Sequence, residues 1–385
     1  MNHQGSAQET IGGERVAEVE ARVVGHLPVV MADFLEQRRS ELSLISPESA
    51  HLVDLLQDYL DGGKLLRPRF LLWGALAADA DALSRIEEIS RLGVAVELVQ
   101  AAALLHDDVI DDSSVRRGRP ALHVERARMH RRHGLTGDPE DFGRAVAIVL
   151  GDLALTWSEQ ATSGPDGACS GEEPGQRAAR AEFDLLRTEV MAGQHLDILH
   201  QAAGFTSPRD PETAARAVIR WKTVPYTVLR PIRMGARLCG MGPEDLAALD
   251  DYAVRIGTAF QLRDDVLSVT GEPDLTGKPV GGDITEGKQT VLLARARAVL
   301  SASDRERLDQ VVGDPRAESS RVQQACRLLV DCGAVASVLD EVGRLGAAGI
   351  DALDQGPGLN PLGRAGLERI ARAATDVSGL SGVRA

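Results

Sequence analysis

Four aspartates occupy six consecutive positions of this chain, directly after the apolar run GVAVELVQAAALL; they are Asp107, Asp108, Asp111 and Asp112. Residues four apart share one face of an α-helix, so a helix here would place Asp107 beside Asp111. Like charges at that spacing repel each other unless a cation lies between them. Carboxylates without neighbouring histidine or cysteine ligands are typical of Mg²⁺ sites. A solvated acidic helix end is the simpler alternative.

A second acidic cluster favours the metal interpretation. The stretch AFQLRDDVLSV predicts an amphipathic helix that carries Asp264 and Asp265, and Asp283 follows in a Gly-rich segment. Two acidic patches on facing helices would hold several Mg²⁺ ions between them. Such ions neutralise and polarise phosphate oxygens, which indicates a diphosphate substrate.

The distribution of cations supports the same chemistry. Lysine and arginine together number 43, yet only four are lysines, namely Lys64, Lys222, Lys278 and Lys288. A retained lysine indicates a place where a compact ammonium group serves better than a planar guanidinium. Arg116 and Arg117 follow the first acidic cluster, and Arg67 lies in GGKLLRP. These are too many cations for one diphosphate. We therefore expect two bound diphosphates, one held through Mg²⁺ and one held directly by basic side chains.

Composition and periodicity predict an all-α fold. Apolar residues recur at spacings of three and four between residues 15 and 376, and no strand alternation persists, so we expect a single-domain antiparallel helical bundle around a deep central cavity. Residues 1–14 are expected to be disordered, 163–176 to form a flexible insertion, and 377–385 to form a tail. A net charge of −14 argues against nucleic-acid binding.

The remaining composition predicts a cytoplasmic protein. The four cysteines show no disulfide framework, and the N-terminal residues lack the features of a signal peptide. Because no uninterrupted apolar run reaches about 18 residues, we expect no membrane span.

Several motifs in order give the chain a family resemblance. They are GGKxxRP at 62–68, DDxxD at 107–111 with RRGxP at 116–120, GQxxD at 193–197, KT at 222–223, FQxxDD at 260–265, and GKPxGxD with GK at 277–288. Over about residues 30–375 the chain resembles the trans-isoprenyl diphosphate synthases (polyprenyl synthetases), and in detail the bacterial geranylgeranyl diphosphate synthases.

The resemblance implies a homodimeric prenyltransferase that condenses isopentenyl diphosphate head-to-tail with an allylic diphosphate. It implies three Mg²⁺ ions per active site, with metal ligands Asp107, Asp111 and Asp264 supported by Asp108 and Asp265. It places the allylic diphosphate against Arg116, Lys222, Gln261 and Lys278, and it adds Thr223 and Lys288 as substrate-binding residues. It places isopentenyl diphosphate against Lys64, Arg67, Gln100 and Arg117. Ser268 stands where many relatives have a third aspartate, which we expect to weaken metal binding without abolishing the reaction.

Three alternatives remain at this point. A class I terpene cyclase would use the same ionisation, and Asp264, Ser268 and Glu272 have the spacing of its second metal motif. Against it, a cyclase has no use for a second diphosphate pocket, and Gly271 and Pro273 predict that the helix ends before Glu272. A non-catalytic subunit of a heteromeric synthase is a second alternative, and a longer-chain polyprenyl diphosphate synthase is a third.

Product length is predicted from helix geometry. Ala102 and Ala103 lie one turn below the metal-binding face, where bulky side chains would close the cavity. Four isoprene units extend on the order of 20 Å, which corresponds to the rise along the helix from Asp107 back to Val94. This predicts a C20 product, geranylgeranyl diphosphate, with Val99 and Trp157 as candidate walls. Close packing between helices is the alternative explanation for the small residues.

Overall fold

The fold is built almost entirely from helices. The computed structural model describes residues 3–163, 173–203, 210–271, 280–356, 358–378 and 380. It is 81% helical, which confirms the predicted all-α class. The predicted insertion at 163–176 and tail at 377–385 lie largely outside the described residues.

The helices follow one another with short connections. They are α1 (His3–Ser43), α2 (Pro47–Leu60), α3 (Leu66–Ala78), α4 (Ile86–Ile110), α5 (Leu122–Arg132), α6 (Pro139–Thr162), α7 (Pro174–Ala203), α8 (Pro211–Val218), α9 (Arg230–Leu238), α10 (Ala247–Thr270), α11 (Gly282–Thr285), α12 (Val291–Val299), α13 (Ala302–Asp309), α14 (Ser319–Asp331), α15 (Ala334–Ala352) and α16 (Pro361–Ala374). Short 3₁₀ turns cover Ala82–Arg85, Pro243–Leu246 and Leu353–Gln355, and two π-helical turns cover Ile219–Thr223 and Pro225–Leu229.

The helix ends carry the caps that their sequences predict. Ser46, Asp138 and Asp210 each accept a hydrogen bond from a backbone N–H of the first turn, and each precedes a proline at the start of its helix. Such caps satisfy amide groups that have no partner inside the helix. At the other end of α10, Gly271 is the C-cap, so this helix stops before Glu272, as predicted.

Two features of the chain differ from the sequence prediction. A two-stranded antiparallel hairpin pairs β1 (Val115–Arg116) with β2 (Arg119–Pro120), where no strand was expected. Its turn residues Arg117 and Gly118 both have positive φ, which is what a two-residue hairpin turn of type I′ requires.

Helix α1 begins at His3, whereas the prediction placed disorder before residue 15. The first proline of this helix is Pro28, so every residue before it in the helix has a backbone N–H donor.

Helix α4 lies at the centre and carries the first acidic cluster at its C-terminal end. Its apolar side chains are buried against α1, α3 and α6, while α10 packs mainly on α15 and on the π-helical turns. α3 packs on α9 and α16, and its segment from Phe70 to Leu72 is fully buried. The core therefore fixes the two helices that present the acidic clusters.

One segment of the described residues, Ala82–Ile110, is long and apolar enough to span a membrane, and 72% of its apolar window is buried in the bundle. The bent pair formed by α14 and α15 passes the same test only when both helices are counted together. Burial to this extent is typical of a core helix that passes the same length and composition test.

Candidate active site

A cavity of about 1540 Å³ opens where the C-terminal ends of α4 and α10 approach each other. Its lining comes from the α2–α3 turn, α4, the hairpin, α7, the π-helical turns, α10 and the segment around α11. The predicted site residues in the lining are Lys64, Arg67, Gln100, Asp107, Arg116, Arg117, Lys222, Thr223, Gln261, Asp264, Asp265 and Lys288. Residues far apart in sequence thus meet around one space.

Asp107 is at the centre of a network of polar side chains. It accepts hydrogen bonds from Gln194 Nε2 at 2.9 Å and from Lys222 Nζ at 3.2 Å. Lys222 Nζ also contacts Asp197 Oδ2 at 2.5 Å. Burial disfavours the charged carboxylate, but Lys222, Lys288 and other nearby cations hold the pKa of Asp107 below its usual range. Asp107 is therefore ionised and able to act as a metal ligand.

Asp111 and Asp283 are joined to the network through Lys288. Lys288 Nζ lies 3.1 Å from Asp111 Oδ2, 3.5 Å from Asp283 Oδ1 and 2.7 Å from Glu286 Oε2. Burial lowers the pKa of Lys288, but these carboxylates and Asp107 raise it well above its ordinary value. Glu286 also accepts a hydrogen bond from Ser113 Oγ at 2.9 Å. This ammonium group ties the end of α4 to the segment after α10.

Asp108 has a different role from its neighbour. It is 1% exposed, is not among the cavity-lining residues, and accepts hydrogen bonds from the guanidinium of Arg116, including one from Nε at 2.9 Å. Tyr59 donates to its other oxygen at 3.4 Å. Burial lowers the pKa of Arg116, but Asp108 raises it above its ordinary value. Asp108 thus positions a cation that lines the cavity.

Helix α10 presents the second acidic cluster. Burial raises the pKa of Asp264 to about 6, with a further contribution from the negative charge of Asp283. The positive charge of Arg263 opposes this rise. Burial raises the pKa of Asp265 to about 8. The hydrogen bond that Asp265 accepts from Gln261 Nε2 at 2.8 Å opposes this rise. At neutral pH the Asp264 carboxylate is therefore mostly ionised, whereas Asp265 needs a nearby cation to ionise. Ser268 also lines the cavity, but its hydroxyl donates to the backbone oxygen of Asp265 within its own helix.

Lys222 and Thr223 are presented by a π-helical turn, a feature that is frequent at functional sites. Thr223 Oγ1 donates to Gln261 Oε1 at 2.7 Å, which joins this turn to α10. On its other side the turn packs on Gly193 of α7. A Cβ atom at Gly193 would lie 2.3 Å from the backbone nitrogen of Lys222, so only glycine permits this approach.

A second group of cations lies around the α2–α3 turn. The Arg67 guanidinium stacks 4.2 Å from the centre of the Tyr226 ring and donates to Thr227 Oγ1 at 3.2 Å. Arg117 Nη1 donates to the backbone oxygens of Tyr59 and Asp61 at 3.1 and 3.0 Å. Lys64 and Gln100 complete this part of the lining. Lys64, Arg67 and Asp264 line the same cavity, and the positive charges of Lys64 and Arg67 oppose the rise in the pKa of Asp264.

The sequence and the fold now identify the family. The sequence profile of the polyprenyl synthetase family matches residues 49–329. The chain belongs to the polyprenyl synthetase family. It is 32% identical over 288 residues to the short chain isoprenyl diphosphate synthase of Methanothermobacter thermautotrophicus, covering 74% of this chain and 77% of that protein. It is 31% identical over 299 residues to the geranylfarnesyl diphosphate synthase of Aeropyrum pernix, covering 76% and 81%.

Solved structures of this prenyltransferase family agree with the fold. The crystal structure of geranylgeranyl pyrophosphate synthase from Corynebacterium glutamicum, complexed with isoprenyl diphosphate and magnesium, superposes with a TM-score of 0.85. It is 34% identical in sequence, and the match covers 92% of this chain and 98% of that one. This confirms the family resemblance on which the predicted site residues depend.

The donor set of this polyprenyl synthetase fits Mg²⁺ bound together with a diphosphate. Within the described ranges, no three histidine, cysteine or acidic side chains come close enough to hold a metal ion by themselves. Mg²⁺ typically takes one or two carboxylates and completes its octahedron with water and phosphate oxygens. Asp107 and Asp264 from the lining would hold it together with Asp111, which is not itself among the lining residues but contacts Lys288; the ammonium groups of Lys222 and Lys288 neutralise the first cluster.

Some site residues could not be found from the sequence, and some predictions stay open. Gln194 and Asp197 belong to the motif GQxxD, but their spacing alone did not predict a role in the site. Tyr59 and Glu286 belong to none of the sequence motifs. Lys278 lies outside the described residues. Ala102 is fully buried, and neither it nor Ala103 is among the cavity-lining residues, although Leu104 is. Their influence on product length stays a prediction.

Proposed function

We propose that this polyprenyl synthetase condenses isopentenyl diphosphate head-to-tail with an allylic diphosphate and releases inorganic diphosphate. The observation that carries this proposal is the presence of two neighbouring cationic groups on one cavity. One contains the carboxylates of α4 and α10 with Lys222 and Lys288. The other contains Lys64, Arg67 and Arg117, and Asp58 and Asp61 at the end of α2 also line the cavity there. A reaction between two diphosphate substrates needs both.

The first group suits the allylic substrate. Mg²⁺ held by Asp107, Asp111 and Asp264 would offset the negative charge that grows on the departing diphosphate. Arg116 and Lys222 place positive charge near the departing diphosphate in this proposal. Their ion pairs with Asp108 and Asp197 hold them in position before the substrate binds. Burial of these groups excludes water, which favours ionisation of the allylic C–O bond and protects the resulting cation.

The second group suits isopentenyl diphosphate. Lys64, Arg67 and Arg117 would hold its diphosphate, and Gln100 on α4 lines the same cavity. Fixing the double bond beside the allylic cation converts a bimolecular encounter into an intramolecular one, which accounts for a large part of the acceleration. The proton lost after the new C–C bond forms passes to the released diphosphate, the most basic group that the reaction itself supplies.

Purified protein incubated with Mg²⁺, an allylic diphosphate and labelled isopentenyl diphosphate tests this reaction. We expect a longer prenyl diphosphate and one released diphosphate for each isopentenyl unit incorporated, both dependent on isopentenyl diphosphate. A cyclised hydrocarbon formed without isopentenyl diphosphate would instead identify a terpene cyclase. The end of α10 at Thr270, ahead of Glu272, argues against that alternative. Turnover by the chain alone would exclude a non-catalytic subunit.

A C20 product is part of the proposal. Val94, Val99 and Trp157, the candidate floor and walls, are at most 4% exposed and belong to the core between α4 and α6. In this proposal the small side chains of Ala101 to Ala103 do not close the path of the growing chain, although none of them is among the cavity-lining residues. Because similar proteins include both geranylgeranyl and geranylfarnesyl diphosphate synthases, a longer product is the alternative, and chain-length analysis separates the two.

We also propose a homodimer in the cytoplasm. Exposed apolar side chains follow one another along α6 and α7, among them Ile148, Val149, Leu185, Met191 and Leu199. A second copy would cover them, and light scattering should then give twice the 41.1 kDa mass of the chain. The cysteines among the described residues, Cys239, Cys326 and Cys332, are free thiols, which suits a reducing compartment.

A further inference from the structure

Glu97 is a buried acid whose place in the fold nothing above explains. It lies on α4 at the same helical face as Gln100, Leu104 and Asp107, at successive spacings of three, four and three residues. Those three residues line the cavity, whereas Glu97 lies behind the lining and is 5% exposed. An acid in this layer acts through its charge on the residues that hold the substrate and does not reach the reacting atoms.

The Glu97 carboxylate lacks the hydrogen bonds that a buried charge normally has. Its Oε1 has no hydrogen-bond partner among the described residues. Burial raises the pKa of Glu97, and the charges that oppose this effect are those of Arg67 and Arg117. A buried carboxylate with an oxygen that accepts no hydrogen bond destabilises the fold, and packing contacts alone do not offset this free-energy cost. Its presence therefore calls for a role connected with those two arginines.

The backbone around Gly63 brings the charges together. A Cβ atom at Gly63 would lie 3.7 Å from Glu97 Oε2 and 3.7 Å from Arg117 Nη2, so both groups border the same turn. The other nitrogen of that guanidinium, Nη1, donates to the backbone oxygens at the end of α2. Arg67 is fixed from the opposite side by its stacking on Tyr226 and its hydrogen bond to Thr227.

We propose that Glu97 is the positioning residue of the isopentenyl diphosphate pocket, where its negative charge holds the guanidinium groups of Arg67 and Arg117 in place for the diphosphate. This inference rests on the proposed function of the pocket. Without the carboxylate, two guanidinium groups and the ammonium of Lys64 would repel one another across the empty pocket. With it, the cations are preorganised, and less ordering accompanies binding of the diphosphate.

The test is Glu97→Gln, which removes the charge and keeps the shape. Calorimetric titration with isopentenyl diphosphate alone, without allylic substrate, reports binding to this pocket without turnover. We expect the Kd to rise at least about tenfold, because the misplaced arginines lose bonds to the diphosphate. The KM for the allylic diphosphate should change less than about threefold, and Glu97→Asp should restore part of the affinity.

Glu88→Gln is the matched control, since it makes the same charge change on the same helix at a residue paired with Arg85 and Gln176. Its affinity for isopentenyl diphosphate should equal that of the wild type. Binding by Glu97→Gln that is as tight as wild type, or tighter, would overturn the positioning role while leaving the proposed reaction intact. Failure of the wild-type chain to bind isopentenyl diphosphate would overturn the proposed function of the pocket itself.

Discussion

Replacing Gly193 by alanine should disable the site without touching a charged residue. The added Cβ would lie 2.3 Å from the Lys222 nitrogen and 2.4 Å from its Cα, and both neighbours are backbone atoms that no rotamer change can move. Restoring the 3.4 Å separation at which ordinary van der Waals contact begins requires a displacement of about 1.1 Å. The π-helical turn that carries Lys222 would have to shift away from α7 by that amount.

A shift of this size matters because Lys222 is held between two carboxylates. Its Nζ lies 3.2 Å from Asp107 and 2.5 Å from Asp197, so an added 1.1 Å breaks at least one of these contacts. A misplacement of about 1 Å at a catalytic group can lower turnover about a hundredfold. We expect a loss of about that size in kcat for Gly193→Ala, together with about 1–3 kcal/mol of destabilisation from overpacking.

The assay is steady-state turnover of the allylic and isopentenyl substrates, with the melting temperature measured in parallel. Gly343→Ala is the control, because Gly343 is also helical and nothing lies within 4 Å of its added Cβ. That variant should be fully active and no less stable than the wild type. A folded Gly193→Ala protein whose kcat lies within threefold of wild type would refute the argument that this approach positions Lys222.

Four further outcomes follow from the site. Lys222→Arg should lower kcat at least about tenfold, since the wider fork cannot occupy the space between Asp107 and Asp197; unchanged kinetics would refute this. Asp265→Asn should become progressively more stable than wild type in thermal melts without metal as the pH rises from about 5 to 8, because the folded pKa of about 8 exceeds the ordinary 3.8. Ser268→Asp should lower the Mg²⁺ concentration required for half-maximal rate. Ala102→Phe should shift the product to C15 or shorter; an active variant that still makes C20 would show that this residue does not face the growing chain.

The scarcity of lysine in the sequence indicated residues that the fold places on the cavity. In an arginine-rich chain the three described lysines, Lys64, Lys222 and Lys288, all line the cavity. Asp107 on α4 and Asp264 on α10 line the same cavity, and their role as metal ligands stays a prediction.

Other features depend on contacts between distant segments and left no local pattern. The hydrogen bond from Tyr59 to Asp108 and the closeness of Gly193 to Lys222 arise only when α2, α4, α7 and the π-helical turns are assembled. The hairpin was missed because Arg117, a non-glycine residue with positive φ, gives no turn signal. Glu97 looked like one polar residue in an apolar helix, and only its burial beside two arginines singled it out.

The measurement that tests the central claim most directly is a crystal structure with Mg²⁺, isopentenyl diphosphate and an unreactive thiolo analogue of an allylic diphosphate. We expect the analogue's diphosphate to be bound through metal ions to Asp107, Asp111 and Asp264. We expect isopentenyl diphosphate on Lys64, Arg67 and Arg117, without metal, and with its double bond facing the allylic carbon. A single diphosphate site, or isopentenyl diphosphate bound outside these cations, would contradict the account.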